Sequence, residues 1–169
     1  NPHRMGDWSA DSKTHVASMS GNDFFSNEKS ATLAKESTVK IVLETATGEI
    51  VLKEGLNFPA GTVVDATFMS VAALKEFLAA EIENTKANGT LFSVHLKSTM
   101  MKVSDPIIFG HVVKAFLAPV FEAHGDALAE LGVNPNSGLG DMFARVQDNA
   151  AIMADIEACI AARPPMYMV

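Results

Sequence analysis

The spacing of apolar residues changes period along this chain, and that change limits the fold more than any other feature. Val39, Ile41 and Leu43 alternate with polar residues, and Ile50 and Leu52 resume the alternation after a Thr47-Gly48 turn. A period of two sends successive side chains to opposite faces of a strand, so this stretch predicts a β-hairpin. A further strand is predicted over Thr62–Thr67. The period then becomes helical. Val71, Leu74, Phe77, Leu78 and Ile82 form one stripe behind Ser70, a residue type that caps helices, and Asn88-Gly89 supplies a stop near Lys86. Alternation returns over Leu91–Lys97, with Phe92, Val94 and Leu96 on one face and Ser93, His95 and Lys97 on the other. Ser98-Thr99-Met100-Met101 connects to a helix that Ser104 or Asp105 can cap, with Pro106 in its first turn. That helix bends or breaks at Pro119 and resumes from Val120 to Leu131. Asn134-Pro135-Asn136 and Gly138/Gly140 predict a loop. A last helix carries Ile152, Ile156 and Ile160 and ends at Pro164-Pro165.

Strands alternating with helices in this order predict an α/β architecture, a mixed sheet packed by helices. The first 30 residues are polar, with Met5, Trp8, Phe24 and Phe25 as scattered anchors, and predict an irregular segment with one short helix near Lys13–Met19. With 169 residues and 48% hydrophobic content, the chain is long and apolar enough for one globular domain. Its expected layout is an irregular segment over 1–30, a β-hairpin region over 31–67 and an α/β region over 68–169 that carries Lys97. A formal net charge of −7 argues against nucleic acid or an anionic membrane as partner, since both favour clustered positive charge. No apolar run approaches the roughly 20 residues that cross a bilayer. The single cysteine, Cys159, cannot form an internal disulfide and fits a reducing cytoplasm. Asn1-Pro2-His3-Arg4 opens without an initiator Met and without a signal-peptide core, so processing or excision from a longer chain is expected.

Lys97 is the leading candidate for chemistry. It stands at the carboxyl end of a predicted strand and before a helix start, the edge at which open α/β sheets bind ligands. A lysine there can hold a carboxylate or tune a neighbouring acid for proton transfer; a solvated lysine at a strand end accounts for the same residue. His95, on the same face, could orient a partner or simply be satisfied by hydrogen bonds within the sheet. Lys102 could add positive charge, or be solvated. The Ser104-Asp105-Pro106 helix start offers N–H groups to an anion, although capping by its own side chain explains it equally. His111 and His124 lack metal-site spacing, and the acids do not cluster as ligands. Asp7, Asp11 and His15 lie close in sequence and read best as a solvated loop. Gly138-Leu139-Gly140 is no dinucleotide fingerprint, and neither a nucleophile elbow nor a P-loop is present. On the residues alone, the chain is an acidic α/β domain with a candidate lysine site.

A longer pattern adds to this. The run Ser93-Val94-His95-Leu96-Lys97-Ser98-Thr99-Met100-Met101-Lys102-Val103-Ser104-Asp105-Pro106-Ile107-Ile108-Phe109-Gly110 resembles the monomeric-type NADP-dependent isocitrate dehydrogenases. So do the opening Asn1-Pro2-His3-Arg4-Met5-Gly6-Asp7-Trp8-Ser9-Ala10-Asp11-Ser12-Lys13-Thr14-His15-Val16-Ala17, the segment Ala79–Glu83, Gly138-Leu139-Gly140-Asp141, and Arg163-Pro164. These matches keep the family's order across nearly the whole chain. The resemblance implies one half of the large domain of the isocitrate/isopropylmalate dehydrogenase-like fold. It implies oxidation of isocitrate with NADP and Mg²⁺ or Mn²⁺, then decarboxylation to 2-oxoglutarate and CO₂. In that chemistry the metal polarises the substrate oxygens and stabilises the enolate.

Lys97, within His95-Leu96-Lys97, matches the family's catalytic lysine. Tyr167, the only tyrosine, does not match the surroundings of the family's catalytic tyrosine. The family's substrate-binding serine and arginines precede the part matched here, and its metal-binding aspartates and NADP region follow it. The chain is therefore expected to supply one catalytic lysine to the intact enzyme, to bind neither cofactor nor metal by itself, and to be inactive alone. In the related dimeric enzymes the equivalent lysine reaches into a neighbouring subunit, an arrangement the monomeric family mimics with two similar halves. An isolated half would expose an apolar surface and could pair with a second copy of itself. The second reading is thus a stand-alone association or tricarboxylate-binding module. A third, an unrelated α/β binding protein, requires the long matches to be coincidence.

Overall fold

The computed structural model describes residues 2–4 and 6–169; Asn1 and Met5, the latter one of the expected anchors, lie outside them. The chain gathers into two compact units: Ser20–Ser70, and the described part of Asn1–Met19 with Val71–Val169.

In Ser20–Ser70 the regular structure is almost all strand. A single helical turn, α1 (Phe24–Asn27), is capped by Asp23, whose Oδ1 accepts from the Ser26 N–H at 2.8 Å. The expected irregular stretch therefore holds one short element that its polar composition did not announce. Strands β1 (Lys29–Thr32) and β4 (Val63–Ala66) pair antiparallel. The predicted hairpin is present as β2 (Ser37–Thr45) and β3 (Gly48–Phe58), in register from Ser37 opposite Phe58 to Thr45 opposite Gly48. Its tight end depends on Gly48, which sits at φ +134°, a conformation that side chains disfavour. The register shifts around Ile41, where β3 carries the extra residues between Leu56 and Val51.

The second unit is mostly helical. Helix α2 (Val71–Asn88) buries Leu74, Leu78 and Ile82 of the predicted stripe, while Val71 is exposed and Phe77 half-buried, and Gly89 at φ +66° ends it. Strand β5 (Phe92–Val94) leads through a 3-10 turn, Ser98–Met100, into α3 (Ser104–Phe116). Helix α4 (Ala118–Glu130) follows at 110° to α3, with Pro119 in its first turn, so the predicted break is real. Helices α5 (Gly138–Val146) and α6 (Ala150–Ala162) complete the helical layer, and β6 (Met166–Met168) returns to pair parallel with β5. The core is Phe116, Leu117, Val113, Met142, Val146 and Ile156, each with no exposed surface. Among the described residues no single helix is long and apolar enough to cross a membrane.

Several expectations need correction. The mixed sheet is absent among the described residues. Its strands form three separate two-stranded sheets, of which only β5–β6 is parallel. Each pair satisfies its own short ladder. The segment over 13–19 holds no helix and no strand; β-branched Thr14 and Val16 give little helix support, and no apolar stripe folds it down. Trp8 and Phe25 are not anchors, being 76% and 89% exposed. Gly138 and Gly140 open α5 instead of a loop, because Leu139, Met142, Phe143 and Val146 supply a stripe at helical spacing.

Gly110 has a clear reason. It is buried in α3 against the 3-10 turn Pro135–Ser137, and a methyl group there would run into Asn136 Oδ1 and come within 3.1 Å of the Asn136 backbone nitrogen. The turn packs closely on α3 only because position 110 has no side chain.

Candidate functional site

The site is built on β5. Phe92 is buried and stacks on Phe116, with ring centroids 5.8 Å apart and planes 27° apart, so the strand is fastened to the core. Val94 and Leu96 follow on the same half-buried face, while Ser93, His95 and Lys97 are exposed. The two-faced pattern read from the sequence is correct, although the strand is shorter than Leu91–Lys97. The pairing is nonetheless carried further: the Leu96 N–H donates to the Val169 carbonyl at 2.8 Å, and the Val169 N–H to the Val94 carbonyl at 3.0 Å.

Lys97 is the last extended residue, at φ −92° and ψ 96°, before the 3-10 turn whose Met100 N–H donates to the Lys97 carbonyl at 3.0 Å. The backbone of Lys97 is therefore held at both ends while its side chain is exposed. Among the described residues no carboxylate lies within ion-pair distance of its ammonium.

His95 is hydrogen-bonded to its neighbour, with Nε2 and the Ser93 hydroxyl 2.6 Å apart. Its ring also meets Tyr167, at 5.5 Å between centroids and 48° between planes. The ladder explains this, since Ser93 lies directly opposite Tyr167 in the β5–β6 register. A hydroxyl, an imidazole and a phenol thus share the exposed side from which Lys97 leaves the strand. Tyr167 was not read as part of a site. Its only signal was a three-residue alternation after two prolines, too short to predict a strand.

Lys102 is exposed, and its backbone N–H donates to Asp105 Oδ2 at 3.0 Å. Asp105 thus reaches back from the first turn of α3 to a residue before the helix, while the N-cap position, Val103, makes no side-chain cap bond, so the capping expected of Ser104 or Asp105 is not found. The other histidines are elsewhere. His124 Nε2 lies 2.7 Å from Asp155 Oδ2, tying α4 to α6. His111 faces a cleft among α2, α3 and α4. His15 hydrogen-bonds the Lys13 carbonyl through Nδ1 and stands 3.7 Å from Glu81. Asp11 is bonded to the Ser9 hydroxyl, which holds its carboxyl below the usual range. Among the described residues, no three His, Cys, Asp or Glu side chains gather as a metal site would require.

Residues 1–169 match the family model for monomeric isocitrate dehydrogenase from end to end. The chain belongs to the monomeric isocitrate dehydrogenase family. It is 46% identical over 175 residues to the isocitrate dehydrogenase (NADP) of Azotobacter vinelandii, covering 100% of this chain and 24% of that protein. It is 48% identical over 172 residues to the isocitrate dehydrogenase (NADP) of Corynebacterium glutamicum, covering 99% of this chain and 23% of that one. Against isocitrate dehydrogenase (NADP) 2 of Colwellia maris it is 43% identical, with 24% of the relative covered. The chain therefore spans about a quarter of the length of these relatives. The resemblance seen in the long run 93–110 is a family relationship. Lys97 leaves the strand edge beside an imidazole and a phenol.

Proposed function

We propose that this chain is a segment of an NADP-dependent isocitrate dehydrogenase that oxidises isocitrate and decarboxylates the product to 2-oxoglutarate and CO₂. Its contribution is Lys97. In this reading the segment forms one half of the enzyme's large domain, and the remainder of the enzyme brings the other substrate contacts. A site for Mg²⁺ or Mn²⁺ does not fit the described residues, which hold no gathered ligand set. In this reading both cofactors are held by the remainder of the enzyme, and the segment alone is inactive. The lone free cysteine, Cys159, supports a cytoplasmic setting.

The observation that carries the reading is the placement of Lys97. Its backbone is fixed by the β5–β6 ladder and the following turn, while its ammonium is exposed and unpaired among the described residues. A positioned lysine without a carboxylate partner is free to hold a substrate carboxylate or to exchange a proton at the substrate hydroxyl. The test is NADPH formation by the intact protein that carries this chain, with isocitrate, NADP and Mn²⁺. Lys97→Ala lowers kcat by about 100-fold or more and leaves the melting temperature unchanged, because the exposed side chain contributes nothing to the core. Full activity in that variant removes Lys97 from the mechanism.

A second reading, a stand-alone association module, rests on the exposed apolar hairpin. Ile41, Leu43, Ile50, Val51 and Leu52 are each between 46% and 61% exposed. Such a surface supports pairing of the isolated chain with a second copy.

A further inference from the structure

Away from Lys97, three helices of the same unit enclose a cleft of about 460 Å³. Lys75 comes to it from α2, His111 and Lys114 from α3, and Phe121 and Glu122 from α4. Arg163, just past α6, closes one side, already bonded to Glu83 through a 3.0 Å contact. The Lys75 and Lys114 ammoniums have no ion-pair partner among the described residues. In a chain of net charge −7, two unpaired ammoniums beside one imidazole are an unusual local concentration of positive charge. Between them the floor is made of small side chains, Ala79, Ala115 and Ala118, and the wall is the Phe121 ring, over which the Lys114 ammonium lies at 5.9 Å.

His111 adds a second observation. Its Nδ1 is buried with no hydrogen-bond partner. Burial, first, and then the charges of Lys75 and Lys114 push its pKa below the ordinary histidine value. Both ammoniums thus oppose charging of the ring, and an anion in the cleft would offset them and favour its protonation.

We propose that this cleft binds a small dicarboxylate, separate from the Lys97 site, with its carboxylates on Lys75 and Lys114 and its short carbon chain over the alanine floor. Volume, apolar floor and paired cations suit such a ligand, and the volume is within the range of small-molecule sites. Binding draws a proton onto His111, so affinity rises as pH falls through the imidazole range, provided the ligand stays ionised. The other charges facing the ring across the cleft are those of Glu83, Glu122 and Arg163.

The test is calorimetric titration of the intact protein with malonate, which probes both this cleft and any carboxylate site at Lys97. The expected result is a class of sites that persists in Lys97→Ala and weakens at least about tenfold in the double variant Lys75→Gln, Lys114→Gln, where charge-assisted bonds are lost. Glu122→Gln, which removes a carboxylate facing the cleft, tightens the same sites by about threefold. Malonate heats that are identical in the wild type and the double variant overturn the proposal. So does the absence of malonate binding together with a lowered melting temperature in the double variant, because the cations would then serve a carboxylate of the protein itself. Loss of activity in Lys97→Ala bears only on the proposed catalytic lysine and leaves this site untouched.

Discussion

The two units of this chain handle apolar side chains in opposite ways. In Val71–Val169, Ile82, Val113, Phe116, Leu117, Met142, Val146 and Ile156 are entirely buried, and the helices meet over them. In Ser20–Ser70 no side chain reaches that state, and the hairpin leaves Ile41, Leu43, Ile50, Val51 and Leu52 half exposed. The difference follows from geometry. Five helices crossing at steep angles enclose a volume, whereas a two-stranded ribbon has two faces and covers neither. Apolar residues at consecutive positions, as in Ile50-Val51-Leu52, point to both faces of the ribbon. Such a strand presents apolar side chains on both sides of the ribbon, and much of that surface is exposed. One unit carries its stability within itself, while the other has its apolar surface in reserve.

The strongest way to break this comparison is to cut the core. Phe116→Ala removes a fully buried ring stacked on Phe92 and is expected to cost about 3–5 kcal/mol in denaturant unfolding. Leu52→Ala on the hairpin is expected to cost less than about 1 kcal/mol in the same assay. Equal losses would mean that the hairpin is as well packed as the helices. Gly110→Ala should cost about 1–3 kcal/mol, because the added methyl forces the Asn136 turn away from α3.

The apolar reserve can be tested by association. The isolated chain is expected to dimerise at micromolar concentration, read as mass by light scattering, and Ile41→Glu with Leu52→Glu should return it to monomer. A monomeric wild type across that range removes the pairing surface from the comparison. A smaller effect tests a helix end. Asn149 Oδ1 accepts from the Ile152 N–H at 3.2 Å, and Asn149→Ala should lower stability by about 1 kcal/mol.

The smallest effect is in the strands. Glu28 is raised above the ordinary carboxyl value, first by a hydrogen bond with Asp65 and then by that residue's charge. A carboxyl raised in the folded state stabilises while protonated, and that contribution is lost as pH rises through its folded pKa. Glu28→Gln should therefore slow hydrogen exchange in β1 and β4 near neutral pH and have no effect in acid. Equal exchange at both pH values would show that the two carboxylates do not interact.

Much of the fold was legible because it is written in local periods. The hairpin, α2 with its Gly89 stop, the α3–α4 break at Pro119 and the two faces of β5 all follow from residues within a few positions of one another. Two of the misses share one cause. Nothing around Met166–Met168 announces a strand, since it forms by pairing with β5 some seventy residues earlier. The mixed sheet failed for the same reason, because strand partners are chosen at long range. For the candidate site, Lys97 could be placed from the strand edge and the family run around it. The neighbourhood of His95 could not be anticipated, since Tyr167 arrives through β6. The cations of the cleft were missed because Lys75 and Lys114 belong to different helices, each unremarkable alone.

What the sequence determined by itself was the identity of the elements and the family of the chain. Backbone geometry converts a period of two or of 3.6 into a strand or a helix with little outside help, and long motifs preserve ancestry. What only the tertiary structure decided was which side chains meet. The Glu83–Arg163 pair spans 80 residues, His124–Asp155 spans 31, and Gly110 matters because of Asn136. Contacts of that kind are set by how helices cross and where strands return, which depends on packing the whole unit at once rather than on any local pattern.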